Sequence, residues 1–354
     1  MTSAYGQAGV RTTEELAGFP RMLDVLRATF GYRPKGEGAP LLDFGQYANV
    51  LDLGNNIGLA ISTDGVGTKL IVAERIGKYD TVGIDCVAMN VNDVVCVGAE
   101  PIAMTDYIAI DRDDPELLAE VAAGLRRGAE LAHITIPGGE IAQVREMVNG
   151  IDLVGTCVGL VPADRIVTGQ HVRPGDAIVG FASSGIHSNG LTLAREVLLG
   201  EHTARLSGHV AELGRTLGEE LLEPTAIYVD LALRLLRETA VHALAHITGD
   251  GFLNLARFDA PVGFRIEWLP EPPPIFDLIA REGKVEAPDM YLVYNMGVGF
   301  CAILPESDVP RALAIGAACG IAAWRIGTCT DDPERIVEIA PAGLKSVGGH
   351  FERA

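Results

Sequence analysis

The densest chemistry in the sequence is the run Asp64-Gly65-Val66-Gly67-Thr68-Lys69. A carboxylate at the end of an apolar stretch, glycines that let backbone amides approach, and a lysine five residues on are what a triphosphate with a divalent cation needs. The run matches neither G-x-x-x-x-G-K-[ST] nor G-x-G-x-x-G, so the two commonest nucleotide loops are excluded. Read alone, it describes a solvated turn equally well. Asn90, Asn92 and Asp93 fall inside an apolar stretch with helical spacing, where an unpaired buried carboxylate costs on the order of several kcal/mol. Such a group needs a cation or strong donors beside it, or an inter-helix hydrogen bond. Asp106, inside PIAMTDYIAI, poses the same question on a strand. Gly138-Gly139-Glu140 closes a predicted strand with backbone freedom and then a carboxylate, suited to a phosphate or a magnesium ion, with a plain turn as the alternative.

A second group lies further on. Ser183 to Gly190 (SSGIHSNG) precedes a predicted helix, so its amides and hydroxyls form a candidate anion cradle into which His187 and Asn189 would point. His246 sits in AHITGDGF beside Thr248, Gly249 and Asp250.

The elements that must position these residues alternate in type. Residues 12 to 31 read as an amphipathic helix, 57 to 62 as a buried strand, 79 to 98 as a helix with polar residues in its apolar face, and 101 to 110 as a strand. Asp114-Pro115 starts a helix running to about His133. Strands follow at 134 to 140 and 153 to 161, and the turn Arg173 to Asp176 marks a division near residues 165 to 172. The second half reads as a strand at 177 to 182, helices at 191 to 199, 204 to 222 and 225 to 238, and closing strands at 295 to 304 and 324 to 328. This is an α/β chain of the α+β type with two domains, 1–168 and 169–354.

Composition narrows the partners. The net charge of −19 repels nucleic acid and anionic membranes. No uncharged apolar stretch reaches the roughly 18 residues of a membrane span, and Met1 to Gly9 lacks the cationic and apolar regions of a secretory signal. A cytoplasmic protein is expected. The six cysteines show no C-x-x-C pair or zinc spacing and read as reduced, mostly buried thiols.

Taken in order, TDGVGTKL (63 to 70), KYDTVGIDCVAMNVNDVVCVGAEP (78 to 101), PGGE (137 to 140), DLVGTCVG (152 to 159), SSGIHSNGLTLAR (183 to 195), EPTAIYV (223 to 229), AHITGDGF (245 to 252) and NMGVGF (295 to 300) resemble the phosphoribosylformylglycinamidine cyclo-ligase (aminoimidazole ribonucleotide synthetase) family. DFGQYANVLDLG (43 to 54) and LPEPPPIF (269 to 276) look like its archaeal-type branch. The resemblance implies a homodimer whose amino-terminal sheets join in a barrel between subunits, with a mixed sheet and helices in the carboxy-terminal domain. It also implies ATP and Mg2+ as cofactors, a ribonucleotide substrate, and ring closure with release of ADP and phosphate.

Carried onto matching positions, Asp64, Asp93, Asp106 and Glu140 would ligate magnesium. Asp64, Gly65, Gly67, Thr68, Lys69, Asn92, Gly138, Gly139 and Glu140 would surround ATP. Ser184, His187, Ser188, Asn189, Thr248, Gly249 and Asp250 would face the substrate, and Lys69, Asp93 and His246 would serve the reaction, His246 as a proton shuttle. The chain departs from the family where many relatives read GGETA and then a methionine-proline turn, here GGEIAQVREMV (138 to 148), and where bacterial members carry a glycine-rich loop, here FGQYANV (44 to 50). These changes leave two alternatives: a paralogue that phosphorylates a different amide or acid, and a non-enzymatic nucleotide-sensing subunit.

Overall fold

A computed structural model describes residues 18–200 and 202–354. The described residues form two large sheets, one in each half of the chain, and a small two-stranded one. The first is built from β1 (Asn49–Asp52), β2 (Ile57–Gly65), β3 (Glu100–Ile110), β4 (Gly139–Gln143) and β5 (Ile151–Pro162), in the order β1-β2-β5-β3-β4. Only the β3–β4 pair is parallel. Alternation sets its two faces. In β5 the odd positions from Ile151 to Val161 are buried, whereas the intervening ones are half-buried or exposed.

The first-half helices are α1 (Phe19–Arg27), α2 (Lys69–Ile76), α3 (Val82–Cys96) and α4 (Pro115–Ala132). Asp114 caps α4 by accepting from the Leu117 amide at 3.1 Å. Helix α3 is buried at nearly every position because it has neighbours on several sides: the inner face of the first sheet, α4, and elements of the second half. This burial explains the apolar run around its polar residues.

The second sheet has eight strands, ordered β15-β14-β13-β10-β12-β6-β11-β9. They are β6 (Ala177–Ala182), β9 (Ala243–His246), β10 (Gly263–Ile266), β11 (Val298–Leu304), β12 (Ala323–Thr330), β13 (Val337–Ile339), β14 (Leu344–Val347) and β15 (His350–Arg353), while β7 (His209–Val210) and β8 (Arg215–Thr216) form a separate hairpin. Strand β11, between β6 and the edge strand β9, is buried throughout. Helix α5 (Leu191–Leu198) follows the Ser183–Gly190 loop, α6 (Leu217–Leu221) follows the hairpin, and α7 (Val229–Glu238) packs against α3.

Three expectations are corrected. The first helix is described from Phe19 and gives way to a 3-10 turn at Ala28, while its expected residues 12 to 17 lie outside the described residues. The stretch 204 to 222 is a 3-10 turn, a hairpin and the short α6, since Gly208 and Gly214 interrupt the helical run. Gly138-Gly139 opens a strand instead of closing one, because β4 begins at Gly139. A side chain at Gly139 would stand 2.5 Å from the Asp106 carbonyl, so glycine serves close strand packing there.

Candidate active site

The carboxyl end of β2 delivers Asp64 to the face covered by α3. Asn90, one of the polar residues inside that helix, fixes the strand end: its Oδ1 accepts from the Asp64 amide at 2.9 Å and its Nδ2 donates to the Asp64 carbonyl at 3.0 Å. Register extends the row, since Asp64 and Asp106 both pair with Gly155 of the intervening β5. Directly opposed residues share a face, so the two carboxylates flank a glycine, roughly 10 Å apart across two strand spacings. A side chain on Gly155 would meet Asn90 Nδ2 at 2.7 Å, Met104 Sδ at 2.9 Å and Cys86 Sγ at 3.2 Å.

Burial, and then the charge of Asp93, raise the pKa of Asp64 from 3.8 to about 6, against the Gly65 amide and His246, which act in the opposite direction. The Gly65 amide donates to Asp64 Oδ1 at 2.7 Å. Asp106 is shifted upward too, chiefly by burial.

Asp93 lies one position past Asn92 on α3, and both reach across to the second half. The Asp93 carboxylate is 3.0 Å from His246 Nδ1. Asn92 Nδ2 donates to the Ala226 carbonyl at 2.9 Å and lies 3.4 Å from His246 Nε2, and Asn92 Oδ1 accepts from the Tyr228 amide at 2.9 Å. These contacts select the tautomer of His246 with its proton on Nδ1, donated to Asp93. Both ring nitrogens face protein partners and the ring is fully buried. The proton-shuttle role expected for it has no open nitrogen here; the geometry makes His246 a positioning residue for Asp93.

Lys69 is likewise turned inward. Its side chain is fully buried, paired with Asp85 at 2.9 Å and donating to the Glu223 carbonyl at 2.5 Å. The expectation that it reaches ATP phosphates is corrected: its ammonium joins the two halves. Asp85, which sequence reasoning passed over, also accepts from the Thr225 amide at 2.8 Å, Thr225 Oγ1 at 2.6 Å and Ser188 Oγ at 3.2 Å. Thr68, next to Lys69, has its hydroxyl 3.0 Å from that of Thr192. Gly67 takes a left-handed φ of 68° at the turn between β2 and α2.

The Ser183–Gly190 loop closes on the same centre. His187 has φ 67°, and its Nε2 accepts from the Ser184 amide at 3.2 Å, which leaves the proton on Nδ1. Burial, and then the charges of His246 and Lys69, hold its pKa well below the usual histidine value, so the ring is neutral. Ser184 Oγ donates to the Pro224 carbonyl at 2.5 Å. Ser183 Oγ, His187 Nδ1 and Asn189 Nδ2 are buried without hydrogen-bond partners among the described residues. Asn189 Oδ1 lies 3.2 Å from where a side chain on Gly249 would begin, so the loop and the 246–250 segment touch. Asp250 turns away: it pairs with Arg257 at 3.2 Å and lines a separate cavity of about 540 Å3 with Arg335. The neighbouring Thr248 is half-buried.

Glu140 does not join Asp64 and Asp106. It pairs with Tyr107, one position along from the Asp106–Gly139 pair, and so lies exposed on the opposite face of the sheet. Gly138 is open on all sides. Among the described residues no group of three or more His, Cys, Asp or Glu is arranged as a metal cage, and no helix is long and apolar enough to cross a membrane. The six cysteines are free thiols, five of them buried.

Comparison with known proteins places this arrangement. Residues 45–161 match the family model described as AIR synthase related protein, N-terminal domain, and residues 173–340 match AIR synthase related protein, C-terminal domain. The chain is 48% identical over 311 residues to a phosphoribosylformylglycinamidine cyclo-ligase of Thermococcus gammatolerans, covering 88% of this chain and 91% of that protein. It is 47% identical over 334 residues to the protein of that name from Pyrococcus furiosus, covering 94% and 97%. The crystal structure of tt0281 from Thermus thermophilus shares the fold with a TM-score of 0.65 at 18% identity, over 94% of this chain and 99% of that one. The hydrogenase maturation protein HypE in complex with ATP does so with a TM-score of 0.58 at 20% identity, over 84% and 85%. The chain belongs to the phosphoribosylformylglycinamidine cyclo-ligase (AIR synthase) family of ligases, which form a carbon–nitrogen bond.

Proposed function

We propose that this chain closes the imidazole ring of purine biosynthesis, converting formylglycinamidine ribonucleotide and ATP to aminoimidazole ribonucleotide, ADP and phosphate. An amide oxygen is a poor leaving group. Its phosphorylation gives an imino-phosphate, from which attack by the amidine nitrogen expels phosphate. Phosphoryl transfer of this kind depends on positioning and charge neutralisation more than on a protein nucleophile. A site of carboxylates, glycines and amides suits it.

The observation that carries the reading is Asp64, set on the inner sheet face by Asn90 and within electrostatic reach of Asp93, its pKa raised to about 6 by burial and by that neighbour. Two acidic groups placed against their own repulsion fit a divalent cation, and Mg2+ characteristically takes one or two carboxylates together with substrate phosphates and water. Asp64 and Asp93 would hold it, with Asp106 the further acidic group in the Asp64 row; when bound, the ion neutralises charge on the phosphates. Asn90 fixes the backbone at Asp64 and His246 orients the Asp93 carboxylate, while Lys69 and Asp85 bond Glu223 and Thr225 of the second half. The unpartnered donors of Ser183, His187 and Asn189 serve the ribonucleotide, with His187 acting as a neutral hydrogen-bond donor.

The homodimer belongs to the same reading. The outer face of the first sheet carries Tyr107 and Leu160, 42% and 39% exposed, with half-buried Ile61, Val154 and Val158 between them. A second copy of that sheet would cover it and bring Glu140 into an interface.

Incubating the purified protein with the formylglycinamidine substrate, Mg2+ and ATP, and following ADP and aminoimidazole product together, tests the proposal. Equal release of both supports it. Tight ATP binding without turnover would favour a nucleotide-sensing subunit.

A further inference from the structure

Helices α2 and α5 start side by side, tied by the Thr68–Thr192 hydroxyl contact, and each carries an arginine into the cleft between them. Arg75, Thr192, Arg195, Glu196 and Gly200 line a cavity of about 230 Å3. Neither guanidinium has a hydrogen bond or ion-pair partner among the described residues, although the chain carries 47 acidic residues against 28 lysines and arginines. Several other arginines find carboxylates: Arg205 meets Glu282, Arg215 meets Glu220 and Glu223, Arg281 meets Glu212, and Arg325 meets Glu267 and Glu306. Arg195 Nε is buried with no acceptor among the described residues. Burial, and then the charge of Arg75, lower the pKa of Arg195, which shows that the two cations oppose one another.

Arg195, with a desolvated donor, shares the cleft with the exposed Arg75, and an anion entering between the two cations would satisfy the donor and offset their repulsion. The fork of a guanidinium matches the oxygens of a phosphoryl group. The cleft, about 230 Å3, is roomy enough for a phosphoryl group together with water. Arg75 also lines an adjoining cavity of about 780 Å3, where Lys78 is engaged by Asp80 and Arg215 by its two glutamates. The unpartnered positive charge of this region is thus confined to the arginine pair. None of Asp64, Asp93 or His246 lines either cavity.

We propose that the Arg75–Arg195 cleft is a binding site for a phosphomonoester group, apart from the Asp64–Asp93–His246 centre. Two sources share this chemistry: the 5′-phosphate of the ribonucleotide that the chain acts on, and a phosphate or sugar phosphate bound independently of turnover. The first source alone rests on the cyclo-ligase reading.

The test is calorimetric titration of the full chain with inorganic phosphate and with ribose 5-phosphate at low ionic strength, alongside steady-state kinetics. Wild type is compared with Arg75→Gln, Arg195→Gln, Arg195→Lys and Glu196→Gln, each checked for native circular dichroism. Loss of one charge-assisted contact predicts roughly tenfold weaker phosphate binding in Arg195→Gln, a smaller loss in Arg195→Lys, and tighter binding in Glu196→Gln, which removes a negative charge from the cleft. A matching rise in KM for the ribonucleotide with kcat and the KM for ATP unchanged identifies the substrate's phosphate. Weakened phosphate binding with all KM values unchanged identifies the independent source. Both outcomes support the site. Titrations that superimpose for wild type, Arg75→Gln and Arg195→Gln, with KM unchanged, overturn it. The phosphate titration reads the site even if the wild-type chain shows no turnover, so the two proposals fail separately.

Discussion

Asp64 and Asp106 stand on either side of Gly155, two strands apart in one row of the first sheet and on the face covered by α3. The glycine makes the row possible, because the space a side chain would need there is filled by Asn90, Met104 and Cys86. Gly155→Ala is therefore expected to destabilise the chain by about 1–3 kcal/mol through overpacking. It should also lower kcat by disturbing the Asn90 clamp on Asp64. Urea unfolding beside steady-state kinetics checks both effects.

Asp64 is held in its charged form at the expense of stability. Its folded pKa of about 6 lies above the ordinary 3.8, so between these values the native state binds more protons and stability falls as pH rises. Below pH 3.8 the group contributes nothing, and above pH 6 the full penalty of about 3 kcal/mol is present. Asp64→Asn is expected to stabilise the ligand-free chain by up to that amount at pH 7 and hardly at all at pH 3.5, while abolishing turnover. Denaturant midpoints at the two pH values decide the sign.

Lys69 and Asp85 form a fully buried ion pair in the first half, and each also bonds the second half, Lys69 through the Glu223 carbonyl and Asp85 through Thr225. Removing one partner strands the other charge, so Lys69→Met should cost about 3–5 kcal/mol. Lys69→Met combined with Asp85→Asn should recover part of that loss. A double-mutant cycle on unfolding free energies measures the coupling, and additive single effects would contradict the pairing.

Tyr107 lies on the outer sheet face that the homodimer would cover. Tyr107→Asp is expected to yield a monomer by sedimentation velocity, with circular dichroism unchanged, where wild type sediments as a dimer.

Much of this was legible in the sequence where one element fixed the outcome. Asp114-Pro115 started a helix as its capping chemistry required, and the polar residues within the apolar 79 to 98 run marked a helix buried on several sides. What could not be read was pairing across the chain. Lys69 looked like a phosphate ligand because Asp85 and the Glu223 carbonyl, its partners, lie 16 and 154 positions away. Glu140 looked like a metal ligand because its strand register, one step out of phase with Asp106, is set by β3 and not by its own neighbours. Asp85 and Thr225 lay inside recognisable blocks, VGIDCVAMN and EPTAIYV, yet nothing local marked their side chains as joined. Gly155 looked like an ordinary strand residue until β2 and β3 placed a carboxylate on each side of it.

The account rests on a divalent cation gathered by Asp64 and Asp93 at the phosphates of ATP. A crystal grown with Mn2+ and a non-hydrolysable ATP analogue reads this directly through the anomalous scattering of manganese. The prediction is an anomalous peak within coordination distance of Asp64 and the triphosphate, with Asp93 as a second protein ligand. A triphosphate seated away from both carboxylates, or a manganese ion bound elsewhere, would contradict it.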